Sequence, residues 1–131
     1  MKSKNISALA FFLLAIAIAT GAIGSHVLKM SLSEACFNTY ITATKYHMYL
    51  AIILLGISSL SFGSKVYFSW SLAVFLIGFL FFVGGCYLSA FRETTLPIIG
   101  PLGSKIAPIG GIALILSLFI MAIQIFRHPL K

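Results

Sequence analysis

The side chains best suited to metal ligation, nucleophilic attack or proton transfer are few in this 131-residue chain: three histidines, two cysteines and two carboxylates. His26 and His47 flank one connection, and imidazole suits iron, copper or zinc. Neither has a Cys, Asp or Glu at ligand spacing, and two ligands are too few for a closed site. No metal or other cofactor is therefore expected. The plainer reading of His47 is an imidazole hydrogen-bonded inside a helical bundle, with Tyr40 on the same helical face. His128 reads as solvated in the tail. Cys36 and Cys86 stand 50 residues apart, without the closely spaced pair of a thiol oxidoreductase. They read as small, partly buried side chains, and a bridge would need Cα atoms within about 7 Å.

Glu34 and Glu93 are the whole acidic complement. Small proton-coupled exporters depend on a carboxylate inside the membrane; both acids here lie in connections, which argues against that mechanism. Catalysis needs convergent groups. The polar set at one mouth is His26, Lys29, Glu34, Lys45, His47, Arg92, Glu93 and Lys105, but no motif binds it together, and charges at helix ends are expected without function. The chain reads as a non-enzyme. His26, Lys29, Lys45, His47, Arg92 and Glu93 form its candidate functional surface.

The elements positioning these residues follow from composition. Hydrophobic residues make up 60% of the chain and charged residues 8%, with a mean hydropathy of +1.10. A soluble domain carries about 25% charge, so most of this surface must face lipid. Nine basic residues against two acids are scattered singly, without the cluster a nucleic-acid backbone needs, and fit helix ends near anionic headgroups. A transmembrane helix needs about 20 mostly apolar residues. Four segments qualify, near residues 6–23, 46–61, 69–91 and 106–126, in one domain spanning 1–131. Lipid forces the backbone to satisfy its own hydrogen bonds, so the expected fold is all-α, an integral membrane four-helix bundle. Lys2 and Lys4 before the first span resemble a signal peptide, but the apolar run exceeds a signal core of roughly 7–15 residues. One side holds Lys2, Lys4, Lys65, Arg127 and Lys131; the other holds Lys29, Lys45, Arg92 and Lys105. This small excess favours cytoplasmic termini.

Ser31 and Glu34 have capping-box spacing, which predicts helix from Leu32 into the second span. Asn38, Thr42, Lys45 and Tyr49 share one face of it, beside a more apolar stripe of Phe37, Ile41, Thr44 and Met48. Residues 62–68 read as a tight turn around Gly63 and Lys65. Pro97, Gly100, Pro101 and Gly103 predict a broken connection lying along the membrane surface. Small residues let helices approach in lipid, and each span offers a stripe: Ala15, Ala19 and Ala22 with Gly21 and Gly24; Gly56, Ser59 and Gly63; Gly78, Gly85 and Ser89; Gly110, Ala113 and Ser117. Pro108 reads as lying near the start of the fourth span, where a missing donor does little harm.

Residues 21–29, Gly-Ala-Ile-Gly-Ser-His-Val-Leu-Lys, resemble the G-A-x-G-A-H-x-L-K signature of the YgdD/YwdK family (domain of unknown function 423). Thr42-Ala43 with Tyr46-His47-Met48-Tyr49 resembles its second motif, and Pro108-Ile109-Gly110-Gly111 its fourth-helix motif. The resemblance covers nearly the whole chain. It implies a small four-helix protein of the bacterial cytoplasmic (inner) membrane and transfers no activity. Two positions depart from the pattern: Leu50 stands where the family usually has another histidine, and Ala107 where a threonine commonly precedes the proline. The resulting expectation is an accessory protein that interacts with membrane lipids, a membrane-protein partner or another copy of itself, and not with nucleic acid. The alternative is a small-molecule transporter without carboxylate coupling. Gly21, Gly24, Gly85, Pro108, Gly110 and Gly111 are the expected packing positions.

Overall fold

A computed structural model describes residues 3–59 and 65–127. The described residues form four long helices and no strand: α1 (Ser3–His26), α2 (Glu34–Ser59), α3 (Lys65–Ala90) and α4 (Gly100–Arg127), with a 3-10 turn at Leu28–Met30 after α1. All four are long and apolar enough to cross a membrane. At 24 to 28 residues they span roughly 36–42 Å, more than the hydrocarbon thickness, so their ends reach the headgroups. Of the turn expected over residues 62–68, Gly63 lies outside the described residues, as do Lys2 and the tail with His128 and Lys131, whereas Lys65 and the three residues after it form the first turn of α3 instead of a turn between spans.

Two helix starts differ from the sequence expectation. α2 begins at Glu34, capped by Ser33: the Cys36 N–H donates to Ser33 Oγ at 3.4 Å. Ser31, the expected cap, closes the 3-10 turn instead, its hydroxyl donating to the Val27 carbonyl at 3.2 Å. α4 begins at Gly100, so Gly100, Pro101 and Gly103 start a helix that the sequence reading broke there. Pro101 fits a first turn, where its missing N–H costs nothing. Gly100 and Gly103 are buried: a Cβ on Gly103 would run into the Gly85 carbonyl and Ser89 N–H, and one on Gly100 into the Arg92 backbone. Their glycine content serves close packing. Pro108 consequently lies more than two turns inside α4, exposed, and removes the hydrogen bond its position would give the Ser104 carbonyl.

The helices pack in chain order, α1 on α2, α2 on α3 and α3 most extensively on α4. Leu50, Leu54 and Ile57 of α2 meet Leu72, Phe75, Phe79 and Val83 of α3, with Ile6 and Ala10 from α1 and Leu114 and Met121 from α4. Gly78, Gly85, Gly103 and Gly110 bring the α3 and α4 backbones together. On α1 the buried small residues are Ala10, Ala17 and Gly24, seven apart, whereas Ala15, Ala19 and Ala22 face outward. Gly56 and Ser59 also face outward. Among the described residues, α1 and α4 make no close backbone approach, leaving a flank of α3 uncovered between them.

Candidate functional site

The most concentrated polar chemistry lies inside the bundle. His47 projects from the inner face of α2 and is 5% exposed. Its Nδ1 is 3.4 Å from the Tyr87 hydroxyl on α3, and the Phe79 ring stands edge-on to it, with centroids 5.4 Å apart. The same hydroxyl lies 3.1 Å from Thr20 Oγ1 on α1 and 3.3 Å from Thr44 Oγ1 on α2. Tyr40 closes the cluster: its hydroxyl donates to the Thr20 carbonyl at 2.7 Å, and its ring meets Tyr87 edge-on at 5.5 Å. One phenol thus joins three helices.

Proton accounting orders the network. Thr20 donates its hydroxyl proton to the Ile16 and Ala17 carbonyls, each at 3.0 Å, and Thr44 donates to the Tyr40 carbonyl at 3.1 Å. Towards Tyr87, both threonines are therefore acceptors. Tyr87 has one proton to give, and Thr20 is its nearest acceptor. A phenol lone pair then remains for an N–H on His47 Nδ1. In this arrangement His47 carries its proton on Nδ1, an assignment from the hydrogen-bond inventory. Nε2 is left as a buried lone pair with no partner among the described residues. A buried polar atom without a partner is costly, and Nε2 in this arrangement is free to accept a proton or a donor.

A second constellation joins the connections. Glu93 accepts the Ser33 hydroxyl at 2.6 Å and pairs with Arg92 at 3.4 Å. Arg92 Nη1 also donates to the Ser89 carbonyl and hydroxyl, each at 3.3 Å. The Ser33 hydrogen bond holds the Glu93 carboxyl below its ordinary range, with smaller help from Cys36 and Arg92. The cap of α2 is thereby tied to the α3–α4 connection.

The six residues of the expected functional surface are dispersed. Arg92 and Glu93 stay together, joined by Ser33. His26 ends α1 and Lys29 sits in the 3-10 turn, both exposed; a cation suits the negative end of a helix dipole. Lys45 is exposed on the outer face of α2, roughly 16 Å along the axis from Glu34, where a lysine stem lies on apolar surface and carries its amine outward. Asn38, Thr42 and Tyr49 share that outer face. His47 points inward, away from all of these. Of the expected packing positions, Gly21 abuts Thr44 and Gly24 the Tyr40 ring; Gly85 and Gly110 meet helix backbone, and Gly111 lies beside Phe82. Pro108 faces outward. Cys36 is buried and Cys86 half-buried, both as free thiols. Among the described residues no three His, Cys, Asp or Glu side chains gather as a metal site would require. Thr20 and Tyr87 were missed by the sequence reading, although a hydroxyl inside an apolar span is a signal for interhelical bonding.

The profile of a family described as "Protein of unknown function (DUF423)" matches residues 20–111. The chain is 33% identical over 112 residues to the UPF0382 membrane protein SSP2132 of Staphylococcus saprophyticus, covering 86% of this chain and 88% of that one. It is 30% identical to the UPF0382 membrane protein SAB0533 of Staphylococcus aureus, over 86% and 87% of the two chains. It is 26% identical to the UPF0382 membrane protein YwdK of Bacillus subtilis, over 86% and 89%. No solved structure matches the chain.

Proposed function

The chain belongs to the DUF423 family, and from that premise we propose that this multi-pass membrane protein is an accessory component of the bacterial cytoplasmic membrane. It works through its outer helix faces, on a membrane-protein partner or on lipid, with its termini on the cytoplasmic side; it performs no covalent chemistry. The observation carrying this reading is the open flank between α1 and α4. α1 docks through small side chains on α2 and turns Phe11, Phe12, Ile18 and Ile23 outward. Helices in lipid gain no hydrophobic drive from covering such faces, so the flank is available to lipid or to another helix.

Purification in mild detergent, with mass measurement of the intact particle and identification of co-eluting molecules, tests the reading. It expects specific protein or lipid to accompany the chain; recovery as a bare monomer, stripped of both, counts against it. The second reading, a small-molecule transporter without carboxylate coupling, draws on the unpartnered Nε2 of His47. Saturable flux into proteoliposomes, abolished by His47→Ala, would replace the accessory reading with that one.

A further inference from the structure

Beneath the connections, buried polar groups form a column. On the inner face of α2, Cys36, Tyr40, Thr44 and His47 follow one another at helical spacing, each buried. At its top the Ser33 hydroxyl donates to Glu93 at 2.6 Å and accepts the Cys36 N–H at 3.4 Å. Below, the Tyr40 ring rests on Gly24 and stands edge-on to Phe91 and Tyr87, with centroids 5.9 and 5.5 Å apart. The hydroxyls of Thr20, Thr44 and Tyr87 come next, and His47 Nε2 ends the column without a partner among the described residues. From Ser33 to His47 is roughly 21 Å along the axis of α2. Past His47 the same face turns to Leu50, Ala51, Leu54 and Ile57, against Phe75 and Phe79 of α3. The next buried polar side chain on α2 is Ser58, roughly 16 Å further on. Water is the usual partner of a buried polar atom that protein leaves unsatisfied. Its route to Nε2 runs through the hydroxyls from the connections, not through three turns of hydrocarbon.

A flap closes that route. Residues 91–99 fold on themselves: the Thr94 and Leu96 N–H groups donate to the Phe91 carbonyl at 3.2 and 2.9 Å, and the Gly100 N–H to the Leu96 carbonyl at 2.7 Å. Arg92 binds Ser89 of α3 and Glu93 of the flap itself. Among the described residues, the polar contact fastening the flap to α2 is Glu93 with Ser33, supported by Cys36. The Glu93 side chain is 48% exposed, so water competes for this clasp, whereas the Cys36 and His47 side chains behind it are closed off.

We propose that the Ser33–Glu93 clasp latches this flap over a water-binding site at His47 Nε2, and that releasing the clasp hydrates the column down to that atom. The inference stands apart from the accessory reading, since neither a partner nor a lipid enters it. Full-length protein in nanodiscs of phosphatidylglycerol and phosphatidylcholine, held at one neutral pH, tests it. A water-soluble methanethiosulfonate reports on the Cys36 thiol and diethyl pyrocarbonate on His47. Peptide mass spectrometry reads each site, with Cys86 and His26 as internal references. Glu93→Ala breaks the clasp and leaves the Ser33 cap in place. It should speed modification of Cys36 and His47 together, about fivefold, the scale of one charged contact half open to water, and leave Cys86 and His26 unchanged. Glu93→Gln still accepts from Ser33 and should fall between wild type and Glu93→Ala; it serves the same comparison if circular dichroism shows the alanine variant misfolded. Equal protection of His47 in wild type and variants overturns the proposal. So does acceleration at Cys36 alone, because opening would then stop above Tyr40. Equal acceleration at Cys86 overturns it too, since the whole bundle would have loosened rather than a flap.

Discussion

One substitution, Gly→Ala, should have opposite effects at two glycines on the facing helices α3 and α4. At Gly110 a new Cβ would lie 2.7 Å from the Phe81 carbonyl carbon and closer still to the Phe82 nitrogen. These are backbone atoms and cannot rotate away, so α4 must back off from α3 by a sizeable fraction of an ångström. A gap of about 0.5–1 Å forfeits a quarter to a half of each dispersion contact, and this is the most extensive helix pair in the fold. Overpacking of this kind costs about 1–3 kcal/mol, against a gain of about 1 kcal/mol in helix propensity. Gly110→Ala should therefore be destabilising by up to about 2 kcal/mol. At Gly84 the Cβ enters open space, and only the propensity gain remains, about 0.5–1 kcal/mol of stabilisation. The propensity gain is common to both variants, so they should differ by the overpacking cost, about 1–3 kcal/mol, or roughly five- to 150-fold in the unfolding equilibrium. Reversible unfolding in mixed detergent micelles measures both. Shifts of the same sign and similar size would refute the backbone contact between α3 and α4.

Tyr87→Phe removes the hydroxyl shared by Thr20, Thr44 and His47; because the threonines keep their own-helix bonds, the loss should be only about 1 kcal/mol, near the values measured for interhelical bonds in membranes. Nitrogen-15 spectra of the His47 ring should show a proton on Nδ1, and this preference should vanish in Tyr87→Phe. Glu93 is held below its ordinary value of 4.5, first by Ser33. A depressed carboxyl contributes stability that is complete above the unfolded value and is lost as pH falls through the folded one. The tie between the connections should thus loosen in acid below about pH 4.5, and Ser33→Ala should raise the Glu93 titration midpoint measured by carbon-13 spectra. Pro108→Ala restores an N–H for the Ser104 carbonyl at an exposed position and should stabilise α4 by about 1–3 kcal/mol; unfolding in micelles should show the gain.

Sequence alone determined that lipid is the solvent and that the fold is four helices. With 8% charged residues no water-facing surface can be built, and hydrocarbon leaves the backbone no partner but itself. It also placed small residues on α3 and α4 where the backbones meet, because Gly78, Gly85 and Gly110 offer one small face. On α1 it had no such power. Small residues line more than one side of that helix, and only Tyr40 and Thr44, reaching across from α2, decide that Gly24 and Gly21 face inward. The cap of α2 was misplaced by two residues because Ser31 and Ser33 are equally capable of capping, and Glu93, sixty residues away in the chain, engages Ser33. The start of α4 was misread because glycine breaks a lone helix but allows a packed one to approach its neighbour; the Gly85 carbonyl beside Gly103 makes the difference. Likewise, helical spacing turned His47 inward beside Tyr40, but its companions on α1 and α3 come from elsewhere in the sequence. The Thr20–Tyr87–His47 cluster exists only because three helices bring their hydroxyl and imidazole groups to one depth, a property of packing that no local pattern encodes.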